Sequence, residues 1–176
     1  MSFKSLIRTV PDFPKPGIRF RDITPLLASG TGFRHVIVLL SERYAGRVDK
    51  VVGIEARGFI FGAALAHAIG AGFVPIRKPG KLPAEAIGRD FELEYGTNRI
   101  EIHIDGLAKG ERVLMIDDLL ATGGTALAAL ALIEQSGATV VECAFVIELL
   151  DLPGRAQLEK TGHQVHALCG FTEDEG

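Results

Sequence analysis

Residues 113–126 read VLMIDDLLATGGTA. Together with Arg112, residues 113–116 form the segment RVLMI, a continuous apolar run of the kind found in a strand buried on both faces of a parallel sheet. Two adjacent aspartates follow, Asp117 and Asp118, which repel each other. The next residues, Thr122, Gly123, Gly124 and Thr125, stabilise neither a helix nor a strand interior. The chain turns there into a helix with Leu127, Leu130, Ala131 and Ile133 on its inner side, stopping at Gly137. Backbone N–H groups at a helix start lack partners and carry partial positive charge. Gly123 and Gly124 let an anion approach the backbone, and the two threonine hydroxyls add donors. Ala121, Thr122, Gly123, Gly124 and Thr125 therefore suit a phosphate monoester. Asp117 and Asp118 accept hydrogen bonds only, when ionised, and suit vicinal hydroxyls. Hydroxyls one sugar ring away from a phosphate describe a ribose 5-phosphate. An Asp-capped strand-to-helix turn is the plain alternative, and it leaves the second acid without a purpose.

Outward from this stretch, strand and helix patterns alternate. An amphipathic helix is expected from Ser2 to just before Pro11, after which Pro11, Pro14, Pro16 and Gly17 break continuous helix. GFRHVIVLLSERY has helical length and periodicity, with Gly46 as its stop. VDKVVGI reads as a strand, GFIFGAALAHAIG as a helix closed by Gly70, and GFVPIRK as a further strand. FELEY and RIEIHI alternate around Gly96, Thr97 and Asn98, which is a hairpin signature. Its apolar face carries Phe91, Leu93, Tyr95, Ile100, Ile102 and Ile104. TVVECAFVIEL returns as a strand, a short helix lies near residues 154–160, and HQVHALCGF closes the sheet. Such alternation predicts an α/β fold with a doubly wound, mostly parallel sheet and ligands at the C-terminal strand ends.

The 176 residues fit one domain, spanning 1–176. A net charge of -3 gives no field favouring nucleic acid or an anionic membrane, and no apolar run approaches the ~20 residues of a membrane span. Charges and prolines interrupt the N-terminal residues where a signal peptide would need an apolar run, so the expected compartment is the cytoplasm. Cys143 and Cys169 lack metal-ligand spacing and read as free thiols. The chain has no G-x-x-x-x-G-K-[ST] or H-E-x-x-H, and GAGFVP breaks G-x-G-x-x-G at its last position. His35, His67, His103, His163 and His166 adjoin no nucleophile motif and read as structural. The acidic end FTEDEG reads as a solvated tail.

The run from Val113 to Thr125 resembles the phosphoribosyl pyrophosphate motif of the type I phosphoribosyltransferases. FPKPGIRFRDITPLL, GIEARGFIFGAALA, IRKPGKLP and LEYG resemble, in order, segments of the adenine-using branch of that family. The resemblance covers residues 12–155. It implies the type I fold, with a small hood from residues near 1–30 and 145–176 and a hairpin lid at about 78–104. It also implies transfer of a phosphoribosyl group from phosphoribosyl pyrophosphate to N9 of adenine, giving AMP and pyrophosphate in purine salvage.

The family's residues map onto this sequence as follows. Ala121, Thr122, Gly123, Gly124 and Thr125 take the 5-phosphate, and Asp117 and Asp118 face the ribose hydroxyls. The EARG segment is the pyrophosphate loop, with Glu55 and Ala56 in an unusual backbone geometry, such as a non-proline cis bond, and Arg57 offering its fork. Lys78 and Lys81 are further pyrophosphate candidates, one of which reaches a partner's site in the family's homodimers. Phe20 and Leu149 form walls for adenine, with backbone contacts from Arg19 and Arg21. Arg19 stands where relatives often carry a small aliphatic residue. Glu94 is the general acid/base candidate, Glu92 its decoy, and Tyr95 a lid residue. Mg²⁺ is implied as cofactor, held mainly by substrate oxygens and water rather than directly by the protein. A 6-oxopurine acceptor (hypoxanthine, guanine or xanthine) stays open as an alternative, as does a non-catalytic regulator that senses phosphoribosyl pyrophosphate.

Overall fold

The computed structural model describes residues 3–92 and 97–175. A single 3-10 turn, Phe3–Leu6, leads into β1 (Arg8–Val10), which pairs antiparallel with β2 (Phe20–Asp22). Helices α1 (Thr24–Ala28) and α2 (Gly30–Tyr44) follow. Then come β3 (Lys50–Ile54), α3 (Arg57–Ile69) and β4 (Gly72–Ile76). A separate hairpin, β5 (Ala86–Glu92) and β6 (Thr97–His103), precedes β7 (Arg112–Leu120) and α4 (Gly124–Gln135). The chain ends with β8 (Thr139–Leu149), α5 (Gly154–Lys160) and β9 (Val165–Phe171).

The main sheet runs β4-β3-β7-β8-β9 with every neighbour parallel. From β3 the chain steps outward to β4, then returns to build β7, β8 and β9 on the other side. The order therefore reverses between β3 and β7, and loops leaving those strands part in opposite directions. In open α/β sheets that crevice is where ligands sit.

Alternation along the strands separates the two cores. Val113 and Met115 of β7 pack with Val52, Phe145 and the inner face of α4. Leu114 and Ile116 pack the other way, against Val36 and Leu40 of α2 and Phe61 and Leu65 of α3. All four β7 side chains are fully buried, which explains the uninterrupted apolar run; each contributes roughly 1.5–3 kcal/mol of burial. At the opposite end of the sheet from the crevice, Glu142 is 2% exposed and accepts from Arg43 twice, at 2.7 and 2.7 Å, and from the Tyr44 hydroxyl at 2.7 Å. Burial alone would raise its pKa, but these hydrogen bonds outweigh burial and hold it below the usual carboxylate value. They pin α2 to β8.

Several expectations need correction. The N-terminal helix is only the turn Phe3–Leu6, because residues 8–10 are drawn into pairing with β2, a long-range contact that local periodicity does not report. Thr97 and Asn98 are strand residues opposite Glu92 and Phe91 rather than turn residues, and Gly96 lies outside the described residues. Ile100 and Ile102 are buried as expected, whereas Ile104 lies beyond β6 and is exposed. Strand β7 does not stop before the aspartates but runs to Leu120. Leu127 and Ala131 of α4 are only half-buried, while Ala126, Ala128, Ala129 and Leu132 join Leu130 and Ile133 inside. The hairpin packs on this helix as well as the sheet, and so buries a second face.

Candidate active site

The crevice between β3 and β7 collects most of the sequence candidates. A cavity of about 220 Å³ is lined by Arg57, Asp117, Asp118, the turn 121–125 and Phe145. Gly123 caps α4 in the left-handed region at φ 91°, which a residue with a side chain rarely adopts, and its carbonyl accepts from Leu127 N–H at 2.9 Å. The first N–H groups of α4 thus open onto the cavity end where an anion is favoured. The hairpin lies directly above: a Cβ placed on Gly124 would stand 3.5 Å from the Glu92 carbonyl oxygen and 3.8 Å from the Phe91 ring.

Asp118 is 4% exposed and its Oδ2 accepts from Arg57 Nε at 2.5 Å. Asp117 accepts the Asp118 backbone N–H at 2.8 Å. Burial, and then the neighbouring Asp118 charge, push the Asp117 pKa well above the ordinary carboxylate range. The pair is therefore costly as it stands, and two hydroxyl donors would relieve it.

Arg57 opens α3 immediately after the cis peptide bond between Glu55 and Ala56. Its guanidinium also lies 5.5 Å from the centre of the Phe20 ring, within cation–π range. Glu55 does not face the crevice freely. Arg77 donates to it from Nε at 3.1 Å and Nη2 at 3.4 Å, and the Lys78 N–H adds a bond of 3.0 Å. Those bonds, Arg77 first, lower the Glu55 pKa. Arg77 also donates to the Lys81 carbonyl at 3.2 Å, so the loops after β3 and β4 are clasped together. The side chains of Lys78 and Lys81 are exposed at the mouth of that clasp. Sequence reasoning missed Arg77; its place just before the lysines, one strand away from an isolated Glu, was the available signal.

The base candidates are divided. Phe20 lines a cavity of about 470 Å³ with Phe13 and Ile60, whereas Arg19 and Leu149 line another of about 590 Å³. Arg21 borders both, and Arg57 lines both the first and the cavity of about 220 Å³ at the 121–125 turn. The Arg21 side chain turns away from solvent and donates to the carbonyls of Thr172 and Glu175. The backbone of the acidic end is thus held by Arg21, while Glu173, Asp174 and Glu175 stay exposed, as the composition suggests. Glu94 and Tyr95 lie outside the described residues. Among the described residues no group of three or more His, Cys, Asp or Glu comes together as a metal cage. Cys143 and Cys169 are free thiols, and burial raises their pKa values to about 12 and about 11.

A doubly wound sheet whose switch point carries two acids and a phosphate-sized turn defines a phosphoribosyltransferase of the type I fold. The phosphoribosyl transferase domain family matches residues 22–164. Adenine phosphoribosyltransferase of Methylobacillus flagellatus is 58% identical over 176 residues, covering 99% of this chain and 100% of the relative. The crystal structure of adenine phosphoribosyltransferase from Thermoanaerobacter pseudethanolicus superimposes with a TM-score of 0.92 at 48% identity, covering 96% and 98% of the two chains. That of Saccharomyces cerevisiae, complexed with an imino-altritol bisphosphate and adenine, does so at 0.88 and 40%, covering 94% and 96%. The chain belongs to the adenine phosphoribosyltransferase family.

Proposed function

We propose that this protein transfers the 5-phosphoribosyl group of phosphoribosyl pyrophosphate to N9 of adenine. The bond from C1 to the pyrophosphate oxygen breaks with its electron pair leaving on pyrophosphate, and N9 forms the new bond and loses its proton. The observation that carries this reading is the Asp117–Asp118 pair beside the 121–125 turn at the switch point, in a chain aligned end to end with named adenine phosphoribosyltransferases.

In this reading the turn takes the 5-phosphate and the aspartates take the ribose hydroxyls, fixing C1 between pyrophosphate loop and base. Carbon C1 acquires oxocarbenium character, which the two carboxylates stabilise electrostatically. Pyrophosphate would offer Arg57 a stronger anion than Asp118, and the exchange would free Asp118 for the ribose. The Glu55–Arg77 clasp fixes the loop that presents Arg57, Lys78 and Lys81. Glu94 is the group assigned to the N9 proton. Phe20, Leu149 and the backbone of Arg19 and Arg21 hold the base, with Tyr95 closing over it. Residues near 1–30 and 145–176 act as hood and 78–104 as lid on one domain.

Mg²⁺ carried on substrate oxygens and water would neutralise charge on the diphosphate. Asp117 and Asp118 would face that hydrated ion without forming a cage. The resemblance further assigns a homodimer, in which Lys78 or Lys81 reaches the partner's site, working in the cytoplasm without nucleic-acid or membrane partners. No described helix is long and apolar enough to cross a membrane.

The test is turnover with phosphoribosyl pyrophosphate, Mg²⁺ and each purine in turn. AMP formed from adenine, with little product from hypoxanthine, guanine or xanthine, is the expected outcome. Nucleotide formed only from 6-oxopurines would overturn the base assignment, and no turnover with any purine would overturn the reaction.

A further inference from the structure

The sequence ends in acids, yet the structure uses the backbone of that segment more than its carboxylates. Arg21 of β2 is 4% exposed, and a buried guanidinium needs partners for its donors. Its Nη1 donates to Thr9 Oγ1, and its Nη2 donates to the carbonyls of Thr172 at 3.0 Å and Glu175 at 2.7 Å. The guanidinium carbon sits 4.4 Å from the centre of the Phe171 ring. The Arg21 Nε is buried with no partner among the described residues, so the two tail carbonyls supply most of what satisfies this charge. Lys4 meets the same ring at 4.4 Å and bridges the Glu175 carboxylate at 3.0 Å.

The other face of the tail is held just as closely. Arg19 Nη1 donates to the Glu173 carbonyl at 2.5 Å, and Glu173 N–H donates to Asp151 Oδ2 at 2.6 Å. Leu150 N–H donates to the Phe171 carbonyl at 2.9 Å. Residues 171–175 are therefore stitched on one side to 19–21 and on the other to 149–151. These two segments lie far apart in the sequence, and the tail hydrogen-bonds to both. The cavity of about 590 Å³ lies between them, with Arg19, Arg21, Leu149, Asp151, Phe171 and Glu173 on its walls.

We infer that residues 171–175 are a specificity-determining positioning element that sets the width of the base slot, by tying Arg19 and Arg21 to the strand end that carries Leu149. The inference rests on the base assignment made above. Because carbonyls do the tying, it is the length of the tail that matters, and Arg21 is the post to which it is fastened. Among the described residues no hydrogen bond or ion pair joins the tail to the 121–125 turn or to Arg57, so its loss is felt by the base and not by the sugar donor.

The experiment compares the full chain with a chain ending at Thr172, with Arg19→Ala and with the combination, measuring KM for adenine, KM for phosphoribosyl pyrophosphate, kcat and thermal midpoint. Truncation is expected to raise KM for adenine roughly tenfold or more while KM for the donor stays within about twofold, since only the base slot loosens. Arg19→Ala is expected to raise it in the same direction, and the two changes to be less than additive because they cut one link. Equal rises in both KM values, or strict additivity, would overturn the inference, as would an unchanged adenine KM. Should the shortened chain fail to fold, Thr9→Val keeps full length and removes one Arg21 partner; it must reproduce the adenine-only rise of about threefold, and an unaltered KM would overturn the inference. The wild-type chain separates the two claims. Its own failure to make AMP from adenine refutes the proposed function, whereas normal turnover with tail-insensitive adenine KM refutes only this inference.

Discussion

Gly154→Ala places one methyl group behind the 121–125 turn, and the structure says what it meets. Gly154 N–H donates to the Ala121 carbonyl at 3.0 Å, so the start of α5 and the turn are in direct contact. A Cβ at this position would lie 2.3 Å from the Ala121 oxygen and 2.7 Å from Leu120 Cδ1. A tolerable carbon–oxygen approach is about 3.3 Å, so one partner must back away by roughly 1 Å. Helix α5 is the less free of the two. Arg155 donates to both oxygens of buried Glu148, at 2.8 and 2.5 Å, and to the Val165 carbonyl at 2.9 Å, while Leu158 is fully buried. The turn therefore yields. Overpacking of this kind costs about 1–3 kcal/mol, which in a chain of this size is a fall of about 2–12 °C in thermal midpoint. A misplacement near 1 Å at a substrate-holding group costs on the order of a hundredfold in rate. Steady-state kinetics at saturating adenine should show kcat/KM for phosphoribosyl pyrophosphate falling by about that factor, with KM for adenine little changed. A donor kcat/KM within twofold of wild type, in a variant whose melting has fallen, would refute the assignment of this turn to the 5-phosphate.

Asp117→Asn removes a buried titratable group beside Asp118 but keeps the acceptor for the Asp118 N–H. Because the folded-state pKa of Asp117 is raised, its stabilising protonated form is lost as pH rises through that value, so the variant should melt higher at pH 7 while turnover falls; a lower melting point would contradict this. Tyr44→Phe removes a hydrogen bond to ionised Glu142, costing about 1.5–3 kcal/mol at neutral pH. The lowered Glu142 pKa means that this stability is present above the unfolded value of about 4.3 and lost as pH falls through the folded one. The gap in midpoint between variant and wild type should therefore narrow as the solution is acidified below the unfolded value and through the folded one, and a gap unchanged by acidification across that range would count against the ion network. Glu94→Gln should lower kcat by about 10²–10⁴ with donor KM preserved, and an unchanged kcat would remove Glu94 from proton transfer.

Where a segment's fate depends on its own residues, the sequence read true. The apolar run of β7, the glycine stop after α3 and the alternation of β3 and β8 each followed from local pattern, and together they imply the parallel sheet and its crevice. The misreadings share one cause, pairing with distant chain. Residues 8–10 look helical until β2 recruits them, and the backbone carbonyls of Thr172, Glu173 and Glu175 are taken by Arg21 and Arg19 although the three acids of the tail stay exposed. Within the site, Asp117, Asp118 and the 121–125 turn were legible because incompatible residue types were forced together. Arg77 was not, because its partner Glu55 lies twenty-two positions away and only parallel pairing of β3 with β4 brings them side by side. The placing of Phe20 and Leu149 on separate cavities depends likewise on long-range pairing, since β2 and β8 belong to different sheets.

A crystal structure of the protein with bound AMP tests the central claim most directly. The account predicts the nucleotide phosphate within hydrogen-bond reach of the backbone N–H groups of 122–125, and the ribose hydroxyls on Asp117 and Asp118. A phosphate bound away from that turn, with both aspartates turned from the sugar, would contradict it.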